Sequence, residues 1–165
     1  MTKNLSLLIT LFVVLMVNGT VLADATDDLI SRYYLDILDR AADAGGAAGW
    51  NSEIQRCESL GIDIKEGFIA LAKVFFNSEE YTSRNKSNTE YVTDLYQTFF
   101  NREPDHAGRD FWVGLLDQGL GRNVLMNFFV YGDEFRLYME GLFGSGSSRP
   151  ECNLVNDLYR GLQGR

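Results

Sequence analysis

Tyr91–Trp112, YVTDLYQTFFNREPDHAGRDFW, holds the design that the rest of the chain repeats. Tyr91, Val92, Leu95, Tyr96, Phe99 and Phe100 fall in adjacent pairs four residues apart. That spacing makes one apolar face of a 3.6-residue helix and does not fit the alternation of a strand. The polar stretch NREPD, Asn101 to Asp105, interrupts the helix. Asp105 suits the N-cap of the next helix, and Pro104 stiffens the approach to it. Gly108 lets that helix pass close to a neighbour, and Trp112 anchors it.

Working outward, the same pattern stands 62 residues earlier. Leu29, Ile30, Tyr33, Tyr34, Ile37 and Leu38 precede Arg40, Asp43, Gly46 and Trp50, the counterparts of Arg102, Asp105, Gly108 and Trp112. Both tryptophans of the chain therefore occupy equivalent places. After Trp50 a second helix ends at Gly61. Asp63 followed by Glu66 reads as a capping box with Asp in place of Ser or Thr. Phe68, Leu71, Ala72, Phe75 and Phe76 form the buried face of a third helix, and Asn77 or Ser78 caps a short fourth. The polar run 84–89 reads as a linker. In the second half, Val124, Leu125, Phe128 and Phe129 resume an apolar face. Asp133-Glu134-Phe135 then echoes Glu79-Glu80-Tyr81. Paired aromatics such as Tyr33/Tyr34, Phe75/Phe76, Phe99/Phe100 and Phe128/Phe129 are assigned to the core by their helical spacing.

The Gly/Ser-rich stretch FGSGSSRP, 143–150, follows. Leu154, Val155, Leu158, Tyr159 and Leu162 then lay out the first-helix face a third time, close to the last residue. The expected architecture is all-α. It has two tandem four-helix units at 24–84 and 90–142, a linker at 143–153, and the first helix of a truncated third repeat at 154–165. Because each unit buries its faces against its neighbours, the whole is expected to form a compact bundle.

Residues 1–23 are set apart from that fold. Lys3 gives a short positive start, 5–17 is an apolar run, and Val21-Leu22-Ala23 suits a signal-peptidase site. The run is shorter than a spanning helix needs, so a cleaved signal peptide and an exported product, without a membrane span after cleavage, are expected. Removing this segment takes away Lys3 alone among charged residues and moves the net charge from -8 to -9. So acidic a chain repels phosphate backbones, which excludes nucleic acid as a partner. Two cysteines, Cys57 and Cys152, give an even count in an oxidising compartment. A bridge between them would add about 4 to 5 kcal/mol by chain entropy. Two free thiols are the alternative.

Arg40, Asp43, Gly46 and Trp50, with Arg102, Asp105, Gly108 and Trp112, are the recurring constellation. Their structural role is direct: caps, close approach, an arginine for a carboxylate or last-turn carbonyls, and a packed ring. The competing role makes the acidic loops at 39–43 and 103–110 calcium ligands, although neither has EF-hand spacing. No catalytic or cofactor-binding residues emerge. The single histidine, His106, has Ala44 as its counterpart, and no nucleophile elbow, zinc-helix or phosphate-loop motif is present. Glu79 with Glu80, and Asp133 with Glu134, suit helix starts better than acid/base pairs. Asn85-Lys86-Ser87 is a glycosylation sequon, meaningful in a eukaryotic secretory route.

These residues resemble the bacterial family known as domain of unknown function 4214. The resemblance rests on Leu95, Tyr96, Arg102, Pro104, Asp105, Gly108, Trp112, Glu134 and Phe135 in the second half. In the first half it rests on Tyr34, Arg40, Asp43, Gly46, Trp50, Phe75, Ser78, Glu80 and Tyr81. The first half departs at Ala42, where proline is expected, and in a longer connection between the second and third helices. The family is similar in pattern to the helical linker domains of phycobilisomes and occurs in exported, surface-layer or glycan-related proteins. The resemblance implies an all-helical extracellular module, with no catalytic residues to carry over.

The expected function is therefore a secreted or cell-surface, non-catalytic helical module that binds or assembles with a protein or glycan. An accessory part of an exported carbohydrate-active enzyme and a calcium-stabilised structural domain are the alternatives.

Overall fold

The computed structural model describes residues 25–144, and every regular element among them is helical. Helix α1 covers 25–38, followed by α2 (Ala44–Ser59), α3 (Ile64–Phe76) and the single turn α4 (Glu79–Thr82). Helices α5 (Asn88–Phe100), α6 (His106–Asp117), α7 (Arg122–Val130) and α8 (Asp133–Phe143) complete a compact bundle. The signal segment expected at 1–23, nearly all of the linker expected at 143–153, the helix expected at 154–165 and Cys152 lie outside the described residues. No helix among those described is long and apolar enough to cross a membrane.

The pairs four apart do what their spacing requires. Leu29, Ile30, Tyr33, Tyr34, Ile37 and Leu38 of α1 are all buried, as are Tyr91, Val92, Leu95, Tyr96 and Phe99 of α5. Phe99 is the hub of the core. Its ring lies 6.3 Å from Tyr33 of α1, 6.3 Å from Phe76 of α3, 6.5 Å from Phe129 of α7 and 5.2 Å from Phe135 of α8. Phe76 also meets Tyr91 at 5.6 Å, so α3 and α5 share one apolar interior instead of enclosing two. The edge-to-face pairs among these, Phe99 with Tyr33 and Phe135 and Phe76 with Tyr91, add about 0.5 to 1.5 kcal/mol each beyond the area they bury.

Several sequence expectations are corrected. The residues inserted between Trp50 and Phe75 do not form a longer connection. α2 has 16 residues against 12 in α6, and α3 has 13 against 9 in α7. Both arms of the α2–α3 hairpin are thus one turn longer, and the links at 60–63 and 118–121 are of equal length. The extra turns extend the far end of the hairpin and leave the corner near Trp50 undisturbed.

On α7 the buried face is Leu125, Met126, Phe129 and Val130, whereas Phe128 is 56% exposed. The inward stripe sits one position later than the doublets suggest, because Met126 and Val130 take the places given to Val124 and Phe128. Phe143 belongs to α8, not to the linker, and stacks on Phe68 at 5.6 Å. Asp63 caps α3 through the Lys65 amide at 3.0 Å, while Glu66 is buried.

The capping box lies instead in the stretch assigned to a linker. Ser87 Oγ accepts from the Glu90 amide at 3.2 Å, and Glu90 accepts from the Ser87 amide at 2.7 Å. Arg84, in the same stretch, donates to the Ile37 carbonyl at 3.3 Å, to the Leu38 carbonyl and to Asp39. It covers the last carbonyls of α1, which have no partner within their own helix.

Candidate functional site

The recurring corner is built from four elements. α1 ends at Asp39, with φ 48°, and α5 ends at Asn101, with φ 53°. Both are short polar residues that tolerate the left-handed region at a helix end. The chain turns there and presents Arg40 or Arg102 to the start of a distant helix. Arg40 grips Glu80 of α4 through Nε at 2.7 Å and Nη2 at 3.2 Å. Arg102 grips Glu134 of α8 in the same way, at 2.7 and 3.1 Å. Each arginine also donates to the carbonyl that follows it, Ala41 at 3.3 Å or Glu103 at 3.2 Å. Each lies over a tyrosine ring as well, Tyr34 at 5.0 Å and Tyr96 at 4.8 Å. Fork-on-fork pairing fixes the geometry of the corner, but both ends are solvent-accessible, so each pair sets position more than it adds stability.

Asp43 and Asp105 are the N-caps of α2 and α6, accepting from the Gly46 amide at 2.8 Å and the Gly108 amide at 2.9 Å. Those backbone donors hold both carboxyls below the usual range. The Arg40 guanidinium lowers Glu80 likewise. The glycines are there for the tyrosines. A Cβ on Gly46 would lie 2.2 Å from the Tyr34 hydroxyl oxygen, and one on Gly108 would lie 2.6 Å from that of Tyr96. Each tyrosine packs edge-on against a phenylalanine, Tyr34 on Phe75 at 4.6 Å and Tyr96 on Phe129 at 5.1 Å. The tryptophans close the corner on those same phenylalanines, Trp50 at 6.0 Å and Trp112 at 5.6 Å.

All eight residues singled out by recurrence therefore meet in two matching corners. Four more complete them: Tyr34, Tyr96, Glu80 and Glu134, which recur in both halves as well but which the sequence did not join to the corner. A signal for them existed. Each tyrosine stands six residues before its arginine, and each glutamate is the second residue of its helix, α4 or α8.

Chemically the corner is occupied by its own contacts. Glu80 and Glu134, considered as acid/base candidates, are each held in a two-point arginine pair. His106 opens α6 and is exposed. Among the described residues, no three of His, Cys, Asp and Glu are grouped to hold a metal ion. The loop carboxylates weighed as calcium ligands point to separate partners: Asp39 to Arg84, Glu103 to Gln97 at 2.6 Å, and Asp110 to Arg109 at 3.0 Å. Cys57 is buried, and burial pushes its thiol up, away from the reactive thiolate. Its suggested partner, Cys152, is outside the described residues.

One surface stands apart from these satisfied contacts. Phe111 of α6 is 59% exposed and lies 4.8 Å from Trp112, which lies 5.8 Å from the exposed Phe128 of α7. The three rings form a continuous aromatic patch outside the second corner. At the matching first corner Gly49 and Val74 stand in place of the phenylalanines.

Residues 72–138 match the family described as Domain of unknown function (DUF4214). The matched span contains the second corner and its aromatic patch complete. Comparison with curated proteins and with solved structures gives no match.

Proposed function

We propose that this chain, whose residues 72–138 match the DUF4214 family, is a non-catalytic helical module. In this reading it is exported, remains secreted or at the cell surface, and binds or assembles with a protein or glycan there. The observation that carries the reading is the patch of Phe111, Trp112 and Phe128. Two large rings more than half exposed around a third lose apolar area to water at no benefit to the fold. Flat aromatic faces suit contact with a protein surface or a sugar ring, because they offer area with little rotamer entropy to lose. The corners support a scaffold role, since their charged groups are spent on caps and ion pairs and leave no acid/base couple poised on a substrate.

The test is capture from a cell-surface extract on the immobilised chain, run beside a Phe111→Ser/Phe128→Ser variant. Both side chains are exposed, so the variant is expected to keep its melting midpoint while losing the captured partner. Equal capture by both proteins would remove the patch, and with it this reading.

A further inference from the structure

A second surface goes beyond that reading and does not depend on it. A cleft of about 420 Å³ opens where the end of α3 and the 82–86 turn face the start of α7. Its volume falls in the range of small-ligand sites, roughly 300 to 1,000 Å³. The chain has 23 acidic residues, yet none of those lining this cleft is Asp or Glu. The rim is made of amides, Asn77, Asn85 and Asn123, and the floor includes the buried ring of Tyr91.

Two cations line it, and they differ. Lys86 is spent on buried Asp94, at 2.9 and 3.1 Å. Arg122 is not: its partners are the Lys86 carbonyl at 2.6 Å, the Asn88 amide oxygen at 3.0 Å and the Tyr91 ring at 4.8 Å, none of them an anion. These contacts hold the guanidinium in place without neutralising it. α7 adds to the same potential, because its N-cap, Gly121, supplies no side-chain acceptor to its first amides. Asn77 and Asn123 already bond across the rim at 3.1 Å, which fixes amide groups suited to ring hydroxyls.

We propose that this cleft binds a small, hydroxyl-rich carboxylate, a uronic-acid-type sugar. The carboxylate lies against Arg122 and the start of α7, and the hydroxyls lie along the asparagine rim. A bare anion would use the first feature only and a neutral sugar the second only.

The test is calorimetric titration of the full chain with sodium glucuronate, with glucose and sodium acetate as separate arms. Glucuronate is expected to bind at least about tenfold more tightly than either. Gly121→Asp and Asn123→Asp each put a carboxylate at the first turn of α7. The Cβ of residue 121 would meet only Val124, at 3.8 Å. Gly121→Asp is expected to melt no lower than the parent, because an acid suits a helix start, whereas Asn123→Asp also gives up the bond to Asn77 and is compared at a temperature where its melting curve shows it folded. Both should also lose glucuronate binding by about tenfold or more through like-charge repulsion. The proposal is overturned if glucuronate does not bind, if glucose or acetate binds equally well, or if both folded variants bind it as the parent does.

Discussion

At the scale of the residue, Gly108 shows why a glycine recurs at a helix start where alanine would ordinarily favour the helix. The tyrosine hydroxyl in the way is not a flexible end. The Tyr96 ring is buried and wedged between Phe100 at 5.4 Å, Phe129 at 5.1 Å and the Arg102 guanidinium. Gly108→Ala is therefore expected to cost about 1 to 3 kcal/mol, as overpacking does. Combining it with Tyr96→Phe should recover much of that loss. Gly114, with nothing within 4 Å of its missing Cβ, is the internal control, and Gly114→Ala should gain about 0.5 to 1 kcal/mol. Urea unfolding of the three variants beside the parent checks the set, and equal effects at positions 108 and 114 would refute the steric account. The residue pattern marked Gly108 as recurring, but it could not say that this position is crowded while Gly114 is open. Only the neighbouring ring does that.

At the scale of the element, the helix starts are where charge enters stability. Asp43 and Asp105 are held low by the amides they cap, and Glu90 by its bonds to Ser87. A carboxyl depressed in the fold contributes stability that is fully present above the unfolded carboxylate range. That contribution is lost as the pH falls through its lower folded value. Half-buried Asp36 and buried Asp94 act in the opposite sense: desolvation raises both, so they take up protons first and offset part of the early loss. Asp105→Asn keeps an acceptor for the Gly108 amide but removes one titrating group. Its melting midpoint should therefore fall less than the parent's between about pH 7 and about pH 3. An equal fall would show that the cap bond does not depend on charge. The N-caps themselves were legible as Asp before a glycine-containing helix. The capping box at Ser87 was equally present in the chain and was hidden by the polar run around it.

At the scale of the whole molecule, two matching corners hold helices that share a single core around Phe99. That arrangement leaves little for a bound ion to do. The loop carboxylates are divided among arginines, a glutamine and helix amides, while a calcium site wants six or more oxygens turned to one point. The melting midpoint is expected to be the same in about 10 mM calcium and in chelator, a concentration well above the dissociation constant of a weak extracellular site. A rise of several degrees with calcium would reinstate the calcium-stabilised alternative.

Periodicity alone was enough to establish the all-helical fold of the described residues, the two Arg-to-Trp corners and the buried faces of α1 and α5. Those features depend on spacing along one helix, and spacing is a property of the sequence. Which ring of Phe128 and Phe129 faces inward, where the inserted turns lie, and that Glu80 and Glu134 are the arginines' partners were decided by packing between elements far apart in the chain. The same holds for the acid-free cleft at α7 and for the exposed patch beside Trp112. A surface is defined by what fails to cover it, and the sequence does not state which neighbours arrive.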